Sequence, residues 1–292
     1  MLNRFLIVLL LAIPLFGQIK VVSSTSDLTD MAKVIGGELI TIKTIAPPNN
    51  DPHYVEVLPS YMIKVRRANL YLKVGMELDL WADQIIGGSR NRKLKVIDCS
   101  QGIHALEVPE GKVDASMGDI HVEGNPHYWL DPKNLIIIAE TLASSFAVED
   151  PKNKSIYLAN LENFRLHLNQ LLLEWESNYA SLEGQPILYY HNTWPYFNAA
   201  FGLVAAEFVE SKPGVMPSPH HLDHLLEIIE SKSIKVLVME PYFSTKAPKY
   251  LAERTGIRVV TLAPSVGALP GTKTYAQMIN YNLTKLQEAL QP

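Results

Sequence analysis

A single cysteine in 292 residues excludes an intrachain disulfide, so the fold must be held by its cores alone. Cys99 closes the stretch Lys95-Val96-Ile97-Asp98-Cys99, a strand end where a small, partly buried thiol is the default. It lies far from any point at which an export signal would be cut. It cannot therefore be the lipid-bearing first residue of a mature lipoprotein. A charge excess is lacking too. The net charge of -4 gives no basic footprint for nucleic acid, and the clusters at Arg66-Arg67 and residues 90–95 read as solvated faces. With 47% hydrophobic residues and no long low-complexity tract, extensive disorder is excluded. GxSxG, a Walker loop and GxGxxG in a strand-helix context are all absent. No apolar run reaches the ~20 residues that span a bilayer. The run at residues 5–16 falls short of that length and follows Asn3 and Arg4, the layout of a secretory signal over residues 1–17. Cleavage is placed near Gly17. Leu15 takes the position of the usual small residue, which keeps an uncleaved anchor as the alternative. The mature protein is expected to be exported to the periplasm, soluble, free of a lipid anchor and monomeric.

What is present is length and alternation. The chain is too long for one typical core and comfortable for two domains. Residues 19–22 read as a strand, and 27–35 as a helix closed by Gly36-Gly37. Residues 39–46 alternate at period two and are rich in β-branched side chains, which makes a second strand. The following Pro47-Pro48-Asn49-Asn50-Asp51-Pro52-His53 cannot be regular structure. A helix at 59–68, a strand at 69–74, a helix through Trp81 and a strand at 94–99 complete a succession of β-α units. That succession is the signature of a parallel sheet with helices on both faces. Residues 151–182 carry one helical pattern, with Tyr157, Leu161, Phe164, Leu168, Leu171, Leu172, Trp175 and Tyr179 at three- and four-residue steps. At ~1.5 Å per residue it exceeds ~40 Å, long enough to pass from one domain to another. Gly184 and Pro186 stop it. Strands at 187–190, 204–209, 234–239 and 257–262 then repeat the first half, and a helix at 275–290 closes the chain. The expectation is an α/β protein: an N-terminal lobe at 18–150, a linking helix at 151–182 and a C-terminal lobe at 183–292.

The chemistry lies in histidines that are far apart but alike in setting. His127 stands in Asn125-Pro126-His127-Tyr128-Trp129-Leu130-Asp131-Pro132, between a proline and two aromatics. Asp131 suits an N-cap and Pro132 the first helical position, so this loop runs into a helix beginning at Asp131. His53 sits in Asp51-Pro52-His53-Tyr54. His191 follows the apolar run Ile187-Leu188-Tyr189-Tyr190 and precedes Asn192-Thr193-Trp194. In open parallel sheets ligands bind beyond the carboxyl ends of the strands. His53, His191 and Glu240 each follow a strand, and His127 occupies an equivalent loop, so four candidate metal ligands lie where two lobes would face each other. Any one histidine alone reads as a hydrogen-bonded structural residue; three in matched settings read as one metal site. Glu240 has a helix-start charge or a group behind the ligands as its alternatives. His121 is either an extra ligand or a loop residue, and the loop reading is preferred. His220 and His224 have i, i+4 metal spacing, yet His221 replaces the glutamate of the metalloprotease motif, so a solvated helix start is preferred.

These stretches resemble the metal-binding solute-binding proteins of zinc and manganese ABC importers, cluster A-I. The likeness covers the mature chain. It rests on Asp51-Pro52-His53 with Tyr54 to Pro59, on Asn125 to Pro132, on Tyr190-His191-Asn192 with Tyr196-Phe197, on Met239-Glu240-Pro241-Tyr242-Phe243, and on residues 275–282. The resemblance implies two (β/α)4 lobes joined by a rigid helix, a divalent metal held between them by His53, His127 and His191, and delivery to a membrane permease.

One departure stands at the fourth ligand. The family usually places an Asp after the last strand, where Thr261-Leu262-Ala263-Pro264 puts Ala263. Glu240 or water then has to complete the shell. The long histidine-rich loop of many zinc members is missing as well, with only His121 in that region. Three imidazoles and at most one carboxylate suit Zn²⁺, whereas Mn²⁺, the alternative, is better served by more oxygens. A zinc hydrolase with an open water position and Glu240 as general base is the second functional class. The paired-lobe layout favours binding over catalysis, and nothing in the sequence argues for a surface adhesin.

Overall fold

The computed structural model describes residues 18–111 and 121–291; the expected signal at 1–17 lies outside them. Within the first lobe, β1 (Ile19–Ser23), α1 (Ser26–Gly36), β2 (Ile40–Thr44), α2 (Pro59–Arg66), β3 (Leu70–Lys73), α3 (Trp81–Ser89) and β4 (Lys95–Asp98) follow one another. All strand pairs are parallel, in the order β2-β1-β3-β4. The second lobe contains β5 (Pro186–Tyr189), α6 (Pro195–Phe201), β6 (Val204–Phe208), α7 (Pro219–Ser231), β7 (Val236–Met239), α8 (Lys246–Thr255) and β8 (Arg258–Thr261), and α9 (Tyr275–Leu290) ends the chain. Its sheet has the matching order β6-β5-β7-β8. The order reverses beside β1 and beside β5, and at such a switch point the loops leaving the strands part to leave a crevice.

Between the lobes run α4 (Asn134–Glu149) and α5 (Lys154–Tyr179). The expected linking helix is thus a 26-residue α-helix, ~39 Å long, with a 3-10 turn at each end covering Pro151–Asn153 and Ala180–Leu182. α4 corrects the sequence reading. It begins at Asn134 rather than Asp131, because Tyr128–Leu130 forms a 3-10 turn first. The Asp131 carboxylate accepts the Lys133 N–H at 2.8 Å and its carbonyl the Asn134 N–H at 3.1 Å, so Asp131 caps a tighter turn that leads into the α-helix.

The lobes do not keep separate interiors. One apolar cluster runs from Ile19, Val21 and Leu28 through Trp129, Leu168 and Trp175 to Ile187, Tyr189 and Val238. Smaller clusters cover the far face of each sheet, around Tyr71 and Ile85 in one lobe and Leu225 and Leu237 in the other. Cys99, expected to be partly buried, is fully buried in the shared cluster, and burial raises its thiol pKa. Polar ties reinforce the apolar seam. Trp129 Nε1 donates to the Pro264 carbonyl at 2.9 Å, and Tyr275 Oη donates to the Trp129 carbonyl at 2.7 Å. Asp30 accepts the Tyr275 N–H and Asp27 the Val266 N–H, both at 2.9 Å. A continuous core with side-chain ties to backbone leaves little freedom for independent lobe rotation.

Asp27 carries a cost in this seam. Its second carboxylate oxygen is buried with no hydrogen-bond partner, and burial pushes its pKa from 3.8 up to about 7. A carboxyl raised in the folded state contributes stability that is fully present below 3.8 and lost as pH rises to about 7. Asp27→Asn keeps an oxygen for the Val266 N–H and removes the buried charge. Thermal melts of metal-free protein are expected to show a higher Tm for Asp27→Asn at pH 8, with a much smaller gain near pH 5. Equal gains at both pH values would contradict the raised pKa.

Candidate metal centre

His53 lies beyond β2, His127 at the head of the turn before α4, and His191 two residues past β5. The lobe interface brings them together. One ring nitrogen from each lies within 4.8 Å of the other two, the one such His, Cys, Asp or Glu group among the described residues. Ring centroids are 5.2 Å apart for His53 and His127, 5.7 Å for His53 and His191, and 6.1 Å for His127 and His191.

Local sequence explains how two of these rings are aimed. Asp51-Pro52-His53 and Asn125-Pro126-His127 fold alike. Asp51 Oδ1 accepts from the His53 backbone N–H at 3.0 Å and from its Nδ1 at 2.8 Å. Asn125 Oδ1 does the same for His127, at 3.1 Å and 3.0 Å. The short side chain closes a turn onto the residue two positions on, and the intervening proline holds its backbone. His191 obtains the equivalent partner from a distant segment. Its Nδ1 donates to Glu210 Oε2 at 2.7 Å, just past β6. An amide oxygen and ionised carboxylates accept and do not donate, so each Nδ1 carries the proton and each Nε2 keeps its lone pair. Nε2 of both His53 and His127 is buried with no hydrogen-bond partner. Unpartnered, buried and convergent lone pairs are what a cation would satisfy.

Electrostatics act in opposite directions on two of the imidazoles. Burial holds His127 well below 6.5, and the charges of the neighbouring imidazoles lower it further. At His191 burial also works downward, but the Glu210 hydrogen bond and the charges of Glu240, Glu210 and Asp51 prevail and raise its pKa. Burial works to raise the Asp51 carboxyl; its hydrogen bond and charge interaction with His53 overcome that and hold it below 3.8. Aromatic rings fix the frame. Trp81 Nε1 donates to the Pro52 carbonyl at 2.9 Å, and the Trp129 ring packs 5.3 Å from His127. Phe243 stacks on Tyr190 at 4.6 Å and lies 5.5 Å from His191.

Glu240, expected at the metal, stands outside the histidine group. It is fully buried, and Trp194 Nε1 donates to its Oε1 at 2.8 Å. Its Oε2 has no hydrogen-bond partner, and burial raises its pKa to about 7 although the charge on His191 pulls the other way. Ala263 is buried, and both its N–H and its carbonyl are engaged by the Asn282 side-chain amide, at 2.8 Å and 2.9 Å. His121 stacks on His53 with centroids 5.2 Å apart and lines a cavity of about 490 Å³ that opens from the histidines past Glu107 and Glu210. His220 and His224 are exposed on α7, whose N-cap Ser218 accepts the His221 N–H. Sequence reading missed Glu210, nineteen residues from its imidazole. It also overlooked a visible signal, the acceptor-Pro-His repeat at 51–53 and 125–127.

The model of the family described as zinc-uptake complex component A, periplasmic, matches residues 21–289. The manganese ABC transporter substrate-binding lipoprotein PsaA of Streptococcus mitis is 26% identical over 283 residues, covering 94% of this chain and 89% of that protein. The iron ABC transporter substrate-binding lipoprotein MtsA of Streptococcus pyogenes serotype M1 is 27% identical over 284 residues, with the same shares covered. A crystal structure of ZnuA superposes with a TM-score of 0.82 at 26% identity, covering 94% of this chain and 100% of that one. An Mn-bound mutant of a periplasmic metal-binding protein from Candidatus Liberibacter asiaticus shares the fold, with a TM-score of 0.78 at 22% identity over 94% of this chain and all of that one. The relatives named lipoproteins give no support to the expected absence of a lipid anchor. They are transport proteins, which sets the hydrolase alternative aside. Two four-stranded parallel lobes, the helix between them and a match over nearly the whole chain lead to one assignment: the protein belongs to the zinc-uptake component A family and is a substrate-binding protein of a metal ABC transporter, not an enzyme.

Proposed function

We propose that the chain is exported and captures one Zn²⁺ between its lobes through Nε2 of His53, His127 and His191, then hands it to a membrane permease. The observation that carries this reading is the common anchoring of the three rings, each tied at Nδ1 to a side-chain oxygen. Imidazole nitrogens and few oxygens are the donor set zinc prefers, whereas manganese favours carboxylates, carbonyls and water. Zinc at ~2.1 Å from each nitrogen draws them to ~3.4 Å of one another in tetrahedral geometry. Small ring shifts achieve that from separations within 4.8 Å. Asp51 and Glu210 supply negative charge behind two of the rings, offsetting the cost of bringing a dication into a buried site.

The fourth position falls to Glu240 or to water. Glu240 is the buried carboxylate on the neighbouring strand end, with one oxygen uncommitted. Manganese is the second reading, and relatives named for manganese and iron motivate it. If Glu240 joins the shell, the added oxygen narrows the gap between the two metals.

Metal content and competition on purified protein test the assignment. One tightly held zinc, not displaced by equimolar Mn²⁺, is expected; no stoichiometric metal, or a preference for manganese, contradicts it. Alanine at His53, His127 or His191 should each weaken zinc binding by more than ~100-fold, beyond the range typical for groups behind the ligands. A variant that binds as tightly as the parent removes that histidine from the shell.

Glu210 sets the pH dependence. His191 must be unprotonated to bind, and its pKa is raised above 6.5, so zinc affinity should begin to fall at a higher pH than an ordinary imidazole would dictate. In Glu210→Gln the carboxylate charge is gone. The fall should then start at lower pH, while affinity at pH 8 drops by about tenfold. Titration calorimetry from pH 5.5 to 8 reads both effects, and an unchanged profile contradicts them.

A further inference from the structure

Across the mouth of the cavity lies a contact between the lobes that the histidine site does not include. Glu107 belongs to the first-lobe segment that lines the opening. Its Oε2 accepts from Asn192 Nδ2 of the second lobe at 2.7 Å and from Asn125 Nδ2 of the first at 3.3 Å. Asn125 Nδ2 also donates to the Asn192 carbonyl at 2.8 Å. Each amide neighbours a ligand. Asn125 is the residue that orients His127, and Asn192 directly follows His191.

The backbone around Glu107 is built to hold it there. Leu106 N–H donates to Tyr196 Oη of α6 at 3.0 Å, and the Leu106 carbonyl accepts from the Asn125 N–H at 2.8 Å. Glu107 itself adopts a left-handed conformation, with φ +55°, which an L side chain rarely takes without enforcement from its surroundings. Gly124 is what permits the close packing. Its φ is +103°, and a Cβ there would come within 2.8 Å of the Leu106 carbonyl oxygen. An exposed glutamate held in an unfavourable backbone conformation, with one oxygen shared by amides of both lobes, is specified more tightly than a solvated side chain requires.

We propose that Glu107 is a positioning residue that latches the cleft. Its carboxylate ties Asn125 to Asn192, holds the imidazoles of opposite lobes at binding distance, and must let go before the metal leaves. The inference rests on the metal-binding reading above. The latch governs release: breaking it should speed dissociation and leave capture nearly unchanged. Its role is acceptance of two hydrogen bonds rather than negative charge at the mouth, so a neutral isostere with the same oxygen should preserve it.

Two measurements decide the matter. Zinc release from loaded protein into excess chelating dye, followed by stopped flow, should be roughly tenfold faster for Glu107→Ala, the effect of losing one good hydrogen bond. Glu107→Gln should stay within about twofold of the parent. Asn192→Ala should match Glu107→Ala, and the double variant should be no faster than either alone, because all three break one contact. Parental release rates in Glu107→Ala, or fully multiplied effects in the double variant, overturn the latch. A Gln variant as fast as the Ala variant overturns it too, since charge would then be the operative property. Amide hydrogen exchange on metal-free protein provides the second readout. Glu107→Ala should exchange faster at Leu106, Asn125 and His127, and unchanged protection there overturns the latch whatever metal binds. A parent chain that takes up no zinc defeats the functional reading instead, and the exchange result still judges the latch.

Discussion

Each of three imidazoles gives its Nδ1 proton to a side-chain oxygen, and the rest of the site follows from that constraint. Once Nδ1 is spoken for, Nε2 is the one ring atom with a lone pair to offer, and it must point away from its partner. Asp51 and Asn125 impose this from two residues upstream, so the turn and the ring are fixed by the same oxygen. Glu210 does it from another strand end, which makes His191 depend on the fold of the second lobe. The result is a set of nitrogens aimed at one point by the protein's own hydrogen bonds. Preorganisation of that kind cuts the ordering cost of binding.

The frame around the rings must hold that point steady, and the shared core explains how. A single apolar cluster crosses both sheets and the long helix, so the lobes meet as parts of one packed interior. Trp129 is buried at its centre. Its ring lies against His127, its Nε1 is bound to Pro264 beyond β8, and its carbonyl is bound to Tyr275 at the start of α9. Through that one residue the His127 loop is tied to the segment that carries Ala263. The Asn282 amide keeps that segment in position although it carries no carboxylate. Ala263 offers no side-chain donor, so the side chains that converge between the lobes are imidazoles.

Much of this was legible in the sequence because it is written in short-range patterns. Alternation of β-branched runs with helical periods gave two parallel lobes, and the three- and four-residue steps from Tyr157 to Tyr179 gave the linking helix. Histidines beside proline or aromatics after strand ends gave the three rings that meet. What was not legible depends on long-range geometry. Glu210 is nineteen residues from His191, and only the packing of β5 against β6 puts them in contact. The strand-end position of Glu240 is legible, but that Trp194 takes one of its oxygens and leaves the other uncommitted is not. The start of the α-helix is displaced from Asp131 to Asn134 for a local reason. The Asp131 carboxylate caps the Lys133 N–H, but the backbone continues through three-residue hydrogen bonds before the α-helix settles.

X-ray absorption at the zinc edge on stoichiometrically loaded protein tests the central claim most directly. The anchored-imidazole account expects a four-coordinate shell with three imidazole nitrogens at ~2.0–2.1 Å and one further light ligand. A shell with fewer than three imidazoles, or one dominated by oxygens at longer distances, would contradict it.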